Sequence, residues 1–219
     1  ILSGINRQKK FYTINLIDIN KNKRSLQKKY DINFSSTFTS NISKSDLIFL
    51  IVKPGEYRSV LKKINKFLTN RSILISFMAG ISHDQIKENI DSNTPIVRCM
   101  TNLTIANFDS YIFYYSKTLD AKTTKSLNNF FSKFSKLSKC RSEDEIDKIT
   151  ALYGSGPAYY IFFNKIVRDS FIQMGYSIKD SKKFTCDLLE GTTKLIEGSN
   201  NLDKVINSIA SKGGTTEAA

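Results

Sequence analysis

The chain has 219 residues, of which 40% are hydrophobic and 24% charged, so it can bury a real core and is neither a disordered tail nor a disulfide-stapled miniprotein. No apolar run approaches the roughly 18 residues of a membrane span, and the longest run, Leu47 to Val52, has the length of a strand. The three cysteines are far apart and odd in number, which argues against disulfides and a metal site and favours a reducing cytoplasm.

The net charge of +13 would raise the affinity for any polyanion, so nucleic-acid binding is an alternative function. The excess consists mostly of lysines that are spread along the chain, whereas phosphate binding favours clustered arginine and lysine. We therefore expect a solvated basic surface and no nucleic-acid partner.

The first half of the chain alternates short apolar runs with helical spacing. One run, Asp46 to Val52, is continuously apolar, as expected of a strand covered on both faces, and it ends at Lys53-Pro54-Gly55. The predicted strands are 12–19, 46–52, 72–78 and 95–100, and the predicted helices are 25–30, 57–68 and 82–90.

Strands that alternate with helices at these lengths predict parallel pairing in an open, doubly wound sheet of Rossmann type. Ligands of such sheets bind at the carboxyl ends of the strands. The predicted crevice is therefore formed by residues 18–22, 52–54, 78–80 and 100–102.

From about Asp144 the apolar spacing stays helical. One helix is predicted from Ser155 to Met174, with Pro157 in its first turn and Gly175 as its stop. A second helix follows from Ser177 to Gly198, and a third covers 202–209. We therefore predict two domains, a sheet domain over 1–143 and a helical domain over 144–219.

The densest local signal is the loop Ser211-Lys212-Gly213-Gly214-Thr215-Thr216, which precedes a possible helix start. Paired glycines let successive N–H groups converge, and the hydroxyls add donors, so the loop could cradle a small anion. An ordinary capped loop is the alternative. A second glycine-rich string, Gly154 to Tyr159, is typical of a tight helix start.

Other candidates have simpler explanations. Lys53 leaves a cation at the carboxyl edge of the sheet, although a solvated lysine is the alternative. His83, the only histidine, lies beside an aspartate at a helix start, which favours a capping or surface role over catalysis. The acidic run 143–145 is interpreted as a solvated turn, and the aromatic residues of 159–163 as helix core or a subunit interface.

These strings, in this order, resemble the pyrroline-5-carboxylate reductase family over nearly the whole chain. The motifs that carry the resemblance are DLIFLIVKP (46–54), ISFMAGIS (75–82), VRCMTN (97–102), GSGPAYY (154–160) and SKGGTT (211–216). The last two, at this separation, are the most specific. The resemblance implies a domain that holds NADPH or NADH, a helical domain that forms a homodimer or larger homo-oligomer, and reduction of pyrroline-5-carboxylate to L-proline.

The resemblance also implies the roles of individual residues. The substrate carboxylate would be held by Ser211, Gly213, Gly214, Thr215 and Thr216, and Thr216 would lie nearest the ring nitrogen as the catalytic residue. The cofactor crevice would be lined by Val52, Lys53, Pro54, Ala79, Gly80, Met100 and Asn102. The imine gains a proton easily, so no strong protein acid is required, and orientation of the two bound molecules supplies most of the catalysis.

The chain also departs from the family pattern. The first strand and glycine-rich phosphate loop of the family would precede Ile1, and the family continues beyond Ala219, so we interpret the sequence as trimmed at both ends. Lys212 replaces a usual proline, and Leu103-Thr104 stand where Thr-Pro is usual. Asp18 suits the ribose hydroxyl of NADH, whereas the cations of 21–24 suit the 2′-phosphate of NADPH, so both cofactors stay open.

Two alternatives remain open at this point. A related imine or hydroxy-acid reductase would keep the fold and change the substrate. A degenerate binding protein without catalysis would explain the missing phosphate loop and the basic charge.

Overall fold

The computed structural model describes residues 1–6, 11–107, 110–117, 119–211 and 213–218, and the chain divides into two compact units, Ile1–Pro157 and Ala158–Ala219. The strands of the described residues are β1 (Asn15–Ile17), β2 (Asn33–Ser35), β3 (Leu47–Leu50), β4 (Ile73–Ser76), β5 (Ile96–Met100), β6 (Tyr111–Tyr115) and β7 (Lys136–Lys139). The predicted domain division at 143/144 stays a prediction.

The α-helices follow the same chain order. They are α1 (Leu2–Asn6), α2 (Ser25–Tyr30), α3 (Tyr57–Ile64), α4 (His83–Lys87), α5 (Ala121–Phe131), α6 (Glu143–Ile149), α7 (Gly156–Gln173), α8 (Ile178–Glu197), α9 (Leu202–Ile209) and α10 (Thr215–Ala218). A π-helical segment, Thr150–Gly154, follows α6 directly and ends one residue before Ser155, which precedes α7. No helix of the described residues is long and apolar enough to cross a membrane.

The larger sheet has the strand order β3-β4-β5-β6-β7. Its first three strands are parallel, β6 runs antiparallel to β5, and β7 is parallel to β6. Strands β1 and β2 form a separate, parallel two-stranded sheet. The predicted mainly parallel architecture is confirmed, and the carboxyl ends of β3, β4 and β5 lie at one edge of their sheet.

Two core clusters cover the two faces of the larger sheet. Successive residues of a strand point to opposite faces, and in β4 both Leu74 and Ile75 are fully buried. Leu74 packs in a cluster with Leu61 of α3, whereas Ile75 packs in a cluster with Phe131 of α5. Helices therefore lie on both faces of β4, as the continuous apolar run of 72–78 predicted.

Strand β3 is covered on both faces, as its apolar run predicted, although less completely than β4. Ile48 and Leu50 pack in the cluster on one face, and Leu47 and Phe49 pack in the cluster on the other. Only Leu50 of the strand is buried, and Ile51 after it is 57% exposed. Among the described strands β3 pairs with β4 alone, so it lies at one end of the strand order.

The second unit begins and ends its helices where the sequence predicted. The Ser177 hydroxyl accepts the Asp180 N–H, which caps α8, and α8 ends against Gly198. Gly175, the stop after α7, has φ +95°, a conformation that favours glycine. These helix boundaries confirm the prediction from local sequence.

Candidate active site

The carboxyl edge of the parallel strands gathers the residues predicted to line the cofactor crevice. One group follows β3, a second follows β4, and a third ends β5 or follows it, and the three strands are parallel neighbours. The structure therefore brings the predicted residues to one edge of the sheet. They are Val52, Lys53, Pro54, Ala79, Gly80, Met100 and Asn102.

Two tight turns shape this edge. Lys53 is the N-cap of a 3-10 turn over Pro54–Glu56, with the proline at a position where no N–H is needed. Gly80 has φ +68°, and a Cβ built on it would meet no atom within 4 Å. Lys53, Pro54, Ala79 and Gly80 are all exposed. The edge thus offers open backbone turns to a ligand, which fits a dinucleotide.

The end of β5 is fastened to the π-helical segment. The Asn102 side-chain amide donates to the Tyr153 carbonyl at 3.0 Å, and its oxygen accepts from the Thr104 N–H at 2.9 Å. The Tyr153 hydroxyl accepts from the Tyr111 N–H at 2.7 Å. Asn102 therefore holds its loop in place through both the NH2 group and the oxygen of its side chain.

The first glycine of the GSGPAYY string has a structural role at the same place. A Cβ on Gly154 would lie 3.3 Å from the Met100 sulfur, closer than most side-chain contacts. A glycine therefore lets the π-helical segment approach the end of β5.

A cluster of charges around a buried arginine lies next to this edge and was not predicted. Arg98 of β5 is 2% exposed and bonds Glu143 at 2.9 Å and Asp147 at 2.7 Å. The sequence signal was a single charged residue inside the apolar strand IVRCM. The interpretation of 143–145 as a solvated turn is wrong, because these residues form the first turn of α6.

His83 also differs from its prediction. Ser82, not His83, caps α4, and its hydroxyl accepts the Gln85 N–H in a capping box. The histidine is only 7% exposed. Its backbone N–H donates to the Glu143 carboxylate at 2.5 Å, and its ring Nδ1 lies 3.3 Å from the Asp84 carboxylate. The hydrogen bonds from Lys117 to Asp84 hold the pKa of Asp84 below its ordinary value.

The two cysteines of the first unit, Cys99 and Cys140, are not activated as nucleophiles. Burial raises the pKa of the Cys99 thiol, and it raises the pKa of Cys140 to about 11, so neither thiol is ionised at neutral pH. The residues that the structure describes contain no group of three or more His, Cys, Asp or Glu side chains placed to hold a metal ion.

The predicted substrate loop belongs to the second unit. Gly213 has φ +72°, and the Gly214 N–H donates to the Ser211 carbonyl at 2.9 Å, which closes a tight turn. Thr215 and Thr216 follow as the first residues of α10, and both are exposed. Lys212 lies outside the described residues. The loop is thus a glycine turn with exposed hydroxyls beside it.

One backbone donor of the loop already binds a carboxylate. The Gly213 N–H donates to a carboxylate oxygen of Glu217 at 2.5 Å. Glu217 is exposed and was not predicted as a site residue. The geometry shows that this turn can present an N–H group to an anion.

A cavity of about 940 Å³ lies elsewhere in the first unit. Its lining residues lie in and around β1, α2 and β2. They include Arg24, one of the cations that suit a 2′-phosphate, but none of the residues predicted to line the edge of β3, β4 and β5 or to hold the substrate. Its position on the separate two-stranded sheet sets it apart from the edge formed by β3, β4 and β5.

Two family models match the chain. The model described as pyrroline-5-carboxylate reductase dimerisation matches residues 143–219, and the model described as NADP oxidoreductase, coenzyme F420-dependent, matches residues 3–80. The first range holds the predicted substrate residues and the second holds the predicted cofactor residues up to Gly80, whereas Met100 and Asn102 lie outside both ranges.

Curated relatives and solved structures agree with the models. The pyrroline-5-carboxylate reductases of Staphylococcus epidermidis and Staphylococcus aureus are each 30% identical over 199 residues, which covers 89% of this chain and 72% of theirs. A Plasmodium falciparum pyrroline carboxylate reductase with NADP bound has a TM-score of 0.86 at 24% identity, covering 99% of this chain and 82% of its own. A 1-pyrroline-5-carboxylate reductase of Streptococcus pyogenes has a TM-score of 0.87 at 20% identity, covering 99% and 83%.

Proposed function

The chain belongs to the pyrroline-5-carboxylate reductase family, and we propose that it reduces 1-pyrroline-5-carboxylate to L-proline with NADPH or NADH. The observation that carries this function is the 30% identity to curated reductases over 89% of the chain. The reaction is a two-electron reduction of the ring C=N bond, which makes the protein an oxidoreductase of proline biosynthesis.

We assign the cofactor to the carboxyl edge of β3, β4 and β5. The turns at Val52, Lys53 and Pro54 and at Ala79 and Gly80 leave exposed backbone for a dinucleotide. Met100 and Asn102 would complete the lining at the end of β5. When bound, the reduced nicotinamide supplies a hydride to the imine carbon. The protein residues fix the orientation of the two molecules, which can contribute much of the rate.

We assign the substrate carboxylate to the glycine turn of the second unit. Its donors would be the Ser211, Thr215 and Thr216 hydroxyls and the Gly213 and Gly214 N–H groups. Hydrogen bonds to a charged acceptor are stronger than neutral ones, so this set can select carboxylated imines. Thr216 is the proposed catalytic residue because its hydroxyl would hydrogen-bond the ring nitrogen while the hydride is transferred.

The direct test is oxidation of NADPH and of NADH by the protein expressed from its complete gene. We expect turnover with pyrroline-5-carboxylate and little turnover with an uncarboxylated pyrroline or with hydroxy acids in the reverse direction. Equal rates with pyrroline-5-carboxylate and with the uncarboxylated pyrroline would favour a general imine reductase. No turnover with either cofactor would defeat the enzyme assignment.

Glu217→Gln is expected to lower KM for pyrroline-5-carboxylate by about tenfold, because the neutral amide oxygen accepts the Gly213 N–H more weakly than a carboxylate does and brings no like charge beside the substrate. The Glu217 carboxylate accepts the Gly213 N–H that the substrate carboxylate would use, and it adds like charge beside the site. Steady-state kinetics would measure KM, with Glu197→Gln, an exposed acid at the end of α8, as the matched control. An unchanged KM in Glu217→Gln would place the substrate elsewhere.

We propose that a second copy of the chain covers α7. Four aromatic side chains of this helix are between 57% and 69% exposed in the single chain, and none of its residues is buried: Tyr159, Tyr160, Phe162 and Phe163. The first half of α7, residues 158–163, carries no charged side chain on any side, and an exposed apolar surface of this kind is normally covered by a partner. The family model over 143–219 supports a homodimer or larger homo-oligomer.

Phe163→Glu is expected to convert the oligomer to a monomer, because a carboxylate in an apolar interface is strongly disfavoured. Light scattering after size exclusion would give the mass of both proteins. Lys183→Gln, at an exposed and polar position of α8, controls for the same change of one unit of charge. An oligomer that survives Phe163→Glu would show that α7 faces solvent.

The state of the cysteines supports a proposal for the cellular location. All three thiols are free, and two of them are buried without a disulfide. We propose the reducing cytoplasm as the place of this enzyme.

A further inference from the structure

Arg98 is an unusual residue for the centre of a sheet. It pairs with Ser76 of β4 on one side and with Tyr115 of β6 on the other, and its side chain is 3% exposed. A buried guanidinium needs acceptors for its donors. Glu143 and Asp147 supply them from consecutive turns of α6, so the arginine fixes this helix against the sheet.

Glu143 does more than neutralise Arg98. The same oxygen, Oε1, accepts from the Arg98 guanidinium at 2.9 Å and from the His83 N–H at 2.5 Å. His83 is the first residue of α4, whose N-terminal N–H groups have no partner within the helix. One carboxylate therefore joins the start of α4, the middle of β5 and the start of α6.

Each joined element leads directly into the edge that we assign to the cofactor. The turn with Ala79 and Gly80 lies between β4 and α4, so the start of α4 sets where that turn ends. Two residues beyond Arg98, β5 ends at Met100. Helix α6 continues into the π-helical segment whose Tyr153 carbonyl holds Asn102.

We propose that Glu143 is a positioning residue of the reductase, which sets the spacing between the 79–80 turn and the end of β5 and so shapes the cofactor edge. This inference rests on the proposed function. Glu143 acts through the elements that it joins and is not assigned a contact with cofactor or substrate.

Asp147 provides the matched control. It is the other carboxylate on Arg98, it lies one turn along the same helix, and its hydrogen bond joins α6 to β5 alone. If the cluster served stability only, loss of either carboxylate would have the same effect on ligand binding. A positioning role predicts that Glu143 alone affects the cofactor.

The experiment compares Glu143→Ala, Glu143→Gln and Asp147→Ala in the protein expressed from its complete gene. NADPH affinity is measured by fluorescence titration, and KM, kcat and the unfolding temperature are measured beside it. We expect Glu143→Ala to weaken NADPH binding by about tenfold, because small displacements at a site have large effects. Glu143→Gln keeps an oxygen acceptor and should restore most of the affinity, and Asp147→Ala should change it less than twofold.

If the Glu143→Ala protein does not fold, Glu143→Asp is used in its place. Aspartate keeps the charge, but its side chain is one carbon shorter and cannot reach both donors. Equal loss of NADPH affinity in the Glu143 and Asp147 variants would overturn the proposal, as would an unchanged affinity in Glu143→Ala or Glu143→Asp. An unaltered protein that binds NADPH but does not reduce pyrroline-5-carboxylate would defeat the proposed function alone, since the titration would still decide the role of Glu143.

Discussion

Gly214→Ala is expected to lower kcat/KM for pyrroline-5-carboxylate by about 100-fold, the loss that a misplacement of about 1 Å can cause. A Cβ on Gly214 would lie 2.5 Å from the Ser211 hydroxyl and 3.0 Å from the Ser211 carbonyl oxygen. The hydroxyl can rotate away, but the carbonyl oxygen accepts the Gly214 N–H at 2.9 Å and cannot. The turn would have to open, and its N–H donors would no longer converge on the substrate carboxylate.

Gly191→Ala in α8 is the control for this substitution. A Cβ on Gly191 would meet no atom within 4 Å, so alanine should keep the activity and stabilise the helix by up to about 1 kcal/mol. Steady-state kinetics and thermal unfolding of both variants separate a local effect on the loop from a general effect on folding. A Gly214→Ala enzyme with unaltered kcat/KM would show that this turn does not hold the substrate.

The helices of the second unit were predictable because their limits are set by neighbouring residues. The Ser177 cap lies within three residues of its partner, and the positive φ of Gly175 is a property of one residue. The gathering of Lys53, Gly80 and Asn102 at one edge was predictable for a different reason. Parallel strands with helical crossovers place their carboxyl ends together whatever their exact pairing.

The features that the sequence did not predict depend on distant contacts. Strand β3 has the composition of a buried strand and packs on both faces, but how completely its side chains are covered depends on elements far away in the chain. Arg98 meets its acceptors 45 and 49 residues further along the chain. No local pattern contains those pairings, so an acidic helix start looked like a solvated turn.

The segment between 103 and 139 shows the same limit. It forms β6, α5 and β7, none of which the sequence predicted. Strand β6 reverses direction against β5, and that choice is made by pairing across the sheet. The position of Tyr111 beside the Tyr153 hydroxyl follows from this reversal, because it brings the start of β6 to the end of β5.

Arg98→Met is expected to lower the free energy of unfolding by about 3 kcal/mol, the lower end of the range for breaking a buried ion pair. Methionine can fill the space of the aliphatic stem, but Glu143 and Asp147 then face an apolar strand without their cation. The lower end applies because the Asp147 side chain is 49% exposed and Glu143 keeps the His83 N–H. The unfolding temperature should fall by about 10 °C.

Lys117→Met provides the comparison at the protein surface. Lys117 pairs with Asp84 at 2.6 Å, but both side chains are well exposed, so water replaces the lost partner and the unfolding temperature should hardly change. Arg98→Lys should lie between the two, since one ammonium cannot donate to both carboxylates in the fork geometry of arginine. Calorimetry or denaturant unfolding of the three variants would measure their order of stability. Equal stability of Arg98→Met and Lys117→Met would mean that water reaches the cluster, and that the carboxylates of α6 do not depend on the arginine for their solvation.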